Sequence, residues 1–595
     1  MFLVSLDGIA IRALTEELNT LLAGGRIDKI QQPDSQTIIF NIRQRGQNHK
    51  LLISIHPQSA RFHITNTNKP NPQQPPLFCM VLRKYLEGSK LQSIKQQGLE
   101  RIVHFDFIGY DELGEKSNKV LICEFMGKHS NMILINPKTN LIIDSIKRLG
   151  SSTSQYRQVL PGLTYLSPPP QKKISPQELT EEKLIQFFLE NNSEKSISQG
   201  LLELVTGIGP QTSKELVIRA GINPDTGIEF LGQYEYSKLW QQITWLNNLI
   251  INNDYQPTLV KNKENPIAFA PFFLEQFTGL NQISFPTMSE LVEFFIGKKE
   301  ESNLFKQKSL ALEKVIDREL ERCQKKLVLQ LNKIAEGKQG EKYKIWGELL
   351  TANLYQLKQS NKAIVPNFYS ENQELIEIPM DENLTPNENA QNYFKKYNKT
   401  KIGVEKAKQQ SKLTQEEISY LETIKSSLER AESLSELQEI RWELEEAGYI
   451  KSKPEKNKSR DKNSTPTPSP HSFYINGFKV LVGKNNKQND YLTLKIAKNN
   501  DLWLHVKDIP GSHVVIKNPE NKDIPEKVLK TAAMLAAYFS KGRFSSQVPV
   551  DYTLKKNVRK PKGAKPGMVI YDNQKTLFVT CEEKYIEEII QGSDL

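Results

Sequence analysis

Cysteine is scarce in this chain, with four in 595 residues, at Cys79, Cys123, Cys323 and Cys581. No two of them stand at the spacing of a metal knuckle or a redox motif, which excludes a disulfide framework and a thiolate metal site and points to a reducing compartment. No apolar run approaches the roughly 20 residues of a membrane span. The first residues place Asp7 and Arg12 early and lack the basic-then-apolar layout of a signal peptide. A soluble, cytoplasmic protein without membrane contact is expected. Histidine is sparse too. His49, His56 and His63 recur every seven residues, but no cysteine or carboxylate completes a metal set around them. Glycine-rich loops of the Walker or Rossmann form are missing, which argues against a nucleotide-driven motor and a dinucleotide-dependent dehydrogenase. No metal, cofactor or catalytic residue is expected.

What the chain does have is length and a localised charge. At about 150 residues per domain, 595 residues make roughly four domains. Hydrophobic residues are 38% of the total, enough for sizeable cores. The formal net charge is +11, and Lys451 to Leu595 carry 26 basic against 15 acidic residues. That segment therefore holds the whole excess, and an acidic partner, nucleic acid first, is expected there.

Residues 1–175 read as an α+β domain with strands in hairpins. Helices are predicted at Ile9 to Leu22 and Leu77 to Leu86, and strands at 36–43, 50–55, 102–108, 120–125, 132–136 and 141–146. Residues 176–300 read as mainly helical. Residues 301–450 show apolar spacings of three and four at Ile316, Leu320, Cys323 and Leu327, again at Leu421, Ile424 and Leu428, and again at Leu437, Ile440 and Leu444. Two long antiparallel helices forming a coiled-coil arm are expected, with a small insert at the tip, an ordinary helical bundle being the alternative. Residues 451–470 have a linker's composition. Residues 471–580 read as a compact α/β module with strands at 472–482, 491–497, 501–506, 548–552, 568–571 and 576–579 and a helix at 525–540, and 581–595 as a tail.

Four constellations are candidates for chemistry. Gly207 and Gly209, between helical segments, have the hairpin pattern of a helix-hairpin-helix module, whose amides could donate to a phosphate with Lys214 assisting; a ligand-free corner is the other reading. Lys541, Arg543, Lys555, Lys556, Arg559, Lys560, Lys562 and Lys565 place eight bases within 25 residues, a pattern that could track a phosphate backbone or form a solvated face. Trp503, His505 and His513 gather around Pro510-Gly511 with Asp501, Asp508 and Ser512. Ser512 lacks a nucleophile elbow, so base stacking and internal hydrogen bonding are the open readings rather than a hydrolase triad. Glu124 to Asn131 is a strand end running into a polar turn, a plausible site or a tight hairpin.

Five separated motifs, in order, resemble the NFACT family, and within it the bacterial ribosome quality-control members. They are the opening with Asp7-Gly8 and Gly25-Arg26-Ile27, Glu124 to Asn131 with Arg157 to Tyr165, Asn389 to Lys399, Asp501 to His513, and Asp551 to Gly567. The resemblance implies a multidomain α+β chain: a first domain related to formamidopyrimidine-DNA glycosylases, a helix-hairpin-helix module, a long antiparallel coiled coil and an RNA-binding C-terminal domain. The glycosylases' Pro-Glu start is replaced by Met1-Phe2, so DNA is not an expected partner. It implies binding to a large (50S) ribosomal subunit and its 23S rRNA, blocked by peptidyl-tRNA on a nascent chain. Recruitment of tRNA, alanyl-tRNA foremost, would follow, with template-free alanine tailing. The family's Asp-Arg pair for tRNA engagement is matched by Glu100-Arg101, one methylene longer; Lys128, His129, Asn131 and Arg157 follow by motif position. The competing readings are a fibronectin-binding surface adhesin, an RNA-binding protein without tailing, and a nucleic-acid glycosylase or nuclease.

Overall fold

The computed structural model describes residues 6–110, 114–151, 156–190, 195–263, 265–451 and 469–592. They form a multidomain mixed α+β protein of two compact units, Met1–Ser302 and Asn303–Leu595. The expected linker, apart from residues 451, 469 and 470, lies outside the described residues.

The first unit is organised by a nine-stranded antiparallel sheet in the order Arg61–Ile64, Gln47–Ser54, Thr37–Gln44, Arg26–Asp34, Lys90–Gln96, Ile102–Tyr110, Lys116–Glu124, Asn131–Asn136 and Leu141–Ser145. The predicted helices are present as Gly8–Leu22 and Leu77–Leu86. Leu14, Leu18, Leu82 and Leu86 enter one core with Phe40, Phe62, Phe105 and Phe125 from the sheet. Three strands, Arg26–Asp34, Arg61–Ile64 and Lys90–Gln96, escape the sequence reading. In the first of them, register shifts between Ile27 and Lys29 and between Gln31 and Asp34 break the two-residue alternation on which recognition depends. The remainder of the unit has helices Ile197–Leu204, Pro210–Arg219 and Gln233–Asn252. It also has a three-stranded sheet, Thr258–Asn262, Asn265–Ala270 and Asn281–Ser284, which the reading of this segment as mainly helical did not include.

A 48-residue helix, Met288–Ala335, begins inside the first unit's core, where Met288, Leu291, Val292 and Phe295 are buried. The Glu17 carboxylate accepts from the Met288 amide at 2.7 Å, and Arg61 pairs with Glu300 at 2.9 Å. A carboxylate at a helix N-terminus satisfies amides that have no partner within the helix.

In the second unit Leu312, Ile316, Leu320 and Cys323 of that helix pack with Tyr420, Leu421, Ile424 and Leu428 of the 44-residue helix Pro386–Glu429. Leu437, Ile440 and Leu444 join from a separate helix, Leu434–Glu446, so three helices share this core. Helix Gly337–Ala352 continues along Pro386–Glu429: Gly337 faces Val404, Gly340 faces Thr400 and Gly347 faces Phe394, in opposite chain order. The small hairpin Lys362–Pro366 with Leu375–Pro379 follows.

The C-terminal module is a six-stranded sheet with helix Glu526–Tyr538 against it. Residues 472–482 form two strands, His471–Ile475 and Phe478–Val482, around Asn476-Gly477, both at positive φ. Residues 491–497 are helical rather than extended: Asn485 caps helix Asn486–Tyr491, and a π-turn, Leu492–Ile496, continues it. The expected tail contains helix Glu583–Gly592, whose Ile586 is buried in the module core.

The first domain meets the helical segment at a backbone contact. A Cβ on Gly8 would stand 2.1 Å from the Leu99 carbonyl oxygen and 2.6 Å from the Gly207 Cα. We predict that Gly8→Ala lowers the stability of the first unit by about 1–3 kcal/mol, through forced separation of packed backbones. Chemical denaturation with a fluorescence readout checks this; an unchanged midpoint would show that the contact yields freely.

Candidate functional site

The predicted first-domain residues converge on one end of the large sheet, and the loop that carries Glu100 and Arg101 is tightly held. It joins strands Lys90–Gln96 and Ile102–Tyr110, with Gly98 at φ +55°. Gln96 Nε2 donates to the Gly8 and Glu100 carbonyls, each at 2.9 Å. Arg12 donates to the Gly98 carbonyl, and the Leu99 side chain is buried against the helical segment. The Phe125 amide donates to the Arg101 carbonyl at 2.8 Å, which brings the motif turn beside this loop. Lys128 and His129 are exposed on the short turn Gly127–His129. Lys173, which the sequence reading passed over, lies close enough for its charge to feel Glu100 and Arg101. Burial lowers its pKa and Arg101 adds to that, while Glu100 opposes it.

Two of the predicted residues turn inward. Asn131 is buried; its amide donates to the Lys147 carbonyl at 2.9 Å and accepts from the Lys147 amide at 3.0 Å. Arg157 meets the fully buried Glu124 in a two-pronged ion pair, Nη1 to Oε1 at 2.7 Å, with Tyr165 Oη donating to Glu124 at 3.0 Å. Burial works against the Arg157 charge, but the Glu124 hydrogen bond and charge outweigh it and raise its pKa. Tyr165 is pushed up by burial and by Glu124. Asn131 and Arg157, expected from motif position to engage tRNA, thus have polar groups committed to holding the turn. Glu124 and Tyr165, both inside the quoted motifs, are the partners that sequence reading missed.

The glycine hairpin is likewise committed. Asp7 caps helix Gly8–Leu22 by accepting from Ala10 at 2.9 Å, and its second oxygen accepts from the Gly209 amide at 3.2 Å and Thr212 Oγ1 at 2.6 Å. Burial raises the Asp7 pKa, against these hydrogen bonds. Gly207, at φ +89°, is pressed on Leu99. The amide expected to meet an external phosphate therefore already serves an internal carboxylate, and of the three residues only Lys214 is exposed.

In the C-terminal module Trp503 and His513 are 0% and 2% exposed. Trp503 lies 5.9 Å from His505, stacked, and 4.9 Å from Tyr571 by ring centroids. Burial lowers the His505 pKa to about 4 and holds that of His513 well below its ordinary value. Both imidazoles are therefore neutral at physiological pH, and the expectation that Trp503 stacks on a base is corrected because neither ring face is open. The eight bases are not all free. Lys541 and Arg543 precede strand Val548–Leu554 and the other six follow it, yet Lys541 lies 4.0 Å from Glu422 while Lys565 lies over Tyr420 of the same helix. Lys556, Arg559 and Lys562 are exposed. Lys560 pairs with Asp490, and Lys565 donates to Tyr449 Oη at 3.0 Å and lies 4.5 Å over the Tyr420 ring.

Helix Leu434–Glu446 carries a stripe of glutamates spaced three, four and three apart, each met by the next segment of the module. Lys484 bonds Glu436 at 2.9 Å, Asn485 and Gln488 bond Glu439 at 2.6 and 2.9 Å, Asn486 bonds Glu443 at 2.9 Å, and Lys487 bonds Glu446 at 3.0 Å. Burial pushes the Glu443 pKa up to about 7, against the Asn486 hydrogen bond and the Lys487 charge, with Asp490 reinforcing the rise. Among the described residues no cluster of three or more metal-ligating side chains occurs, and no helix is long and apolar enough to cross a membrane.

Comparison with known proteins agrees along the whole length. Residues 7–463 match the NFACT N-terminal and middle domains, and residues 472–573 match the NFACT protein RNA binding domain. The Rqc2 homolog RqcH of Bacillus subtilis (strain 168) is 40% identical over 585 residues, covering 97% of this chain and 98% of its own. The RqcH of Streptococcus suis (strain 05ZYH33) is 38% identical over 590 residues, covering 98% and 100%. Among solved structures, the N-terminal part of the fibronectin/fibrinogen-binding protein from Streptococcus suis has a TM-score of 0.41 and 32% identity, covering 49% of this chain and 99% of that one.

Two outcomes are expected from this geometry. Arg157→Ala strands the Glu124 charge in the interior and should destabilise the first unit by about 3–5 kcal/mol, whereas Lys128→Ala leaves it unchanged. Urea unfolding of both variants distinguishes an inward brace from a surface contact. The second outcome concerns pH. Glu443 is raised in the folded state from 4.5 to about 7, so its contribution is full below 4.5 and is lost as pH rises through about 7. Thermal unfolding should therefore show a fall in stability across that window that Glu443→Gln removes; an identical slope in the variant would assign it to another group.

Proposed function

This chain belongs to the NFACT family, and on that premise we propose that it works in ribosome-associated quality control. It binds a stalled large (50S) subunit that still carries peptidyl-tRNA, recruits tRNA, alanyl-tRNA in particular, and promotes template-free alanine addition to the nascent chain's C-terminus. The observation that carries this reading is the similarity to the bacterial RqcH proteins from end to end, middle and RNA-binding domains included. Its place is then the cytoplasm, and its partners are 23S rRNA and tRNA rather than DNA.

The site geometry supports a positioning role. Peptide transfer belongs to the ribosome, and a factor that assists it must hold tRNA in a reactive pose. Glu100 and Arg101 sit on a loop restrained by Gln96, Arg12 and Leu99, so little order has to be gained on binding. That restraint compensates for the extra methylene of Glu100. Lys128, His129 and Lys214 add exposed polar groups in the same unit. The paired long helices act as a coiled-coil arm; at about 1.5 Å per residue, 44 residues reach roughly 66 Å. The first domain serves as a binding frame of glycosylase ancestry, with the helix-hairpin-helix beside it as a brace.

Affinity purification from RNase-free lysate, followed by tRNA sequencing and particle sedimentation, tests the proposal. Enrichment of 50S particles with alanyl-tRNA is expected, and recovery of neither would sink it. Arg101→Ala should abolish tailing while 50S co-sedimentation persists; loss of 50S binding would contradict that division of roles.

A further inference from the structure

With Trp503 enclosed, the module's open aromatic surface lies elsewhere. Phe544 is 86% exposed, and Phe578, on the edge strand Lys575–Val579, is 63% exposed. The Phe544 loop is not slack. The Lys541 amide donates to the Pro510 carbonyl at 3.0 Å, Gly542 to Ser540 Oγ at 3.0 Å, and Ser545 to the Gly542 carbonyl at 2.9 Å. Gln547 donates to Thr580 Oγ1 at 3.2 Å, which ties the loop to the segment just after Phe578. Arg543 is also fixed: its guanidinium lies 3.9 Å from the Tyr538 ring centroid, 5.4 Å from that of Phe544, and bonds Glu583 at 2.9 Å. Lys507 lies alongside, its amide donating at 2.9 Å to the carbonyl of Pro549, the residue paired with Phe578.

An apolar ring held in water by a hydrogen-bonded loop gains nothing for the fold. Placed beside Arg543, with Lys507 and Lys541 on adjoining segments and Lys541 4.0 Å from Glu422, it has the composition that unpaired nucleotides select: a π face for a base and cations for its phosphates. Glu583 offsets part of the Arg543 charge and Asp508 stands nearby, which leaves stacking as the larger contribution at this end. Duplex RNA buries its base faces and gains nothing from such a ring. We infer that Phe544 is a stacking platform for an unpaired base of RNA, at the opposite end of strand Val548–Leu554 from the exposed bases Lys556, Arg559 and Lys562. The module therefore grips unpaired RNA at two ends, by stacking at one and by phosphate contacts at the other. This rests on the RNA-binding reading above and assigns that reading a residue and a strandedness.

The test uses the full chain and a single-stranded oligonucleotide carrying 2-aminopurine, beside a duplex RNA of equal length. Wild-type protein should quench the 2-aminopurine. Phe544→Ala should lose that quenching and bind the single strand roughly tenfold more weakly, the effect of one missing stack, with duplex affinity unchanged. Phe544→Trp should retain both. Because the side chain is exposed, the alanine variant should unfold at the wild-type temperature. Equal single-strand affinity of Phe544→Ala and wild type would overturn the inference, as would an equal loss on duplex or a Phe544-dependent interaction with protein alone. If wild-type protein binds neither RNA, the RNA-binding reading itself fails, a result distinct from all of these.

Discussion

A carboxylate removed from water must be met by donors, and buried carboxylates of this kind hold the functional loops of both units. Asp7 receives two helix starts and a threonine hydroxyl. Glu124 receives Arg157 and Tyr165. Glu215 receives Arg219 and the amides of Glu275 and Gln276. In the C-terminal module Asp501 accepts from the amides of Lys498 and Asn518, and Asp551 from Tyr571 and Thr576. Each joins segments distant in the chain, and losing a donor would leave an uncompensated charge inside.

This device explains why the Glu100-Arg101 loop is tightly held, with both residues half-buried. Asp7 sets the helix start against the glycine hairpin, the hairpin presses on Leu99, and Leu99 carries Glu100 with it. The hairpin's phosphate-binding chemistry has been turned inward: a helix N-terminus suited to an anion finds one in the protein itself.

The contact between helix Leu434–Glu446 and the C-terminal module has a different character. Four glutamates meet lysines and amides in a polar row. Only Glu443 is strongly desolvated, and its pKa moves toward neutrality for that reason. The Glu446 pair is more open, its carboxylate 71% exposed, and binds by ordinary screened attraction, whereas the Glu436 carboxylate is 13% exposed. Lysines that composition would assign to a nucleic-acid surface are thereby divided between an internal contact and the outside.

Local pattern carried much of this protein. Helices Gly8–Leu22, Leu77–Leu86 and Glu526–Tyr538 stand where apolar periodicity places them, because that signal is read over a few consecutive turns. Net charge rightly separated the C-terminal quarter from the rest, and the motif order pointed to the family that the comparisons show. Facing was another matter. Nothing near Trp503 announces that it will be enclosed, since Tyr571, 68 residues on, helps to cover it. Arg157 points inward because Glu124, 33 residues earlier, waits there, and Gly209 donates to Asp7 across 202 residues. Spacing along a chain determines helix, strand and overall charge. Which polar group is spent inside and which is left for a partner is decided by contacts between residues far apart in sequence, and those exist only once the chain has folded.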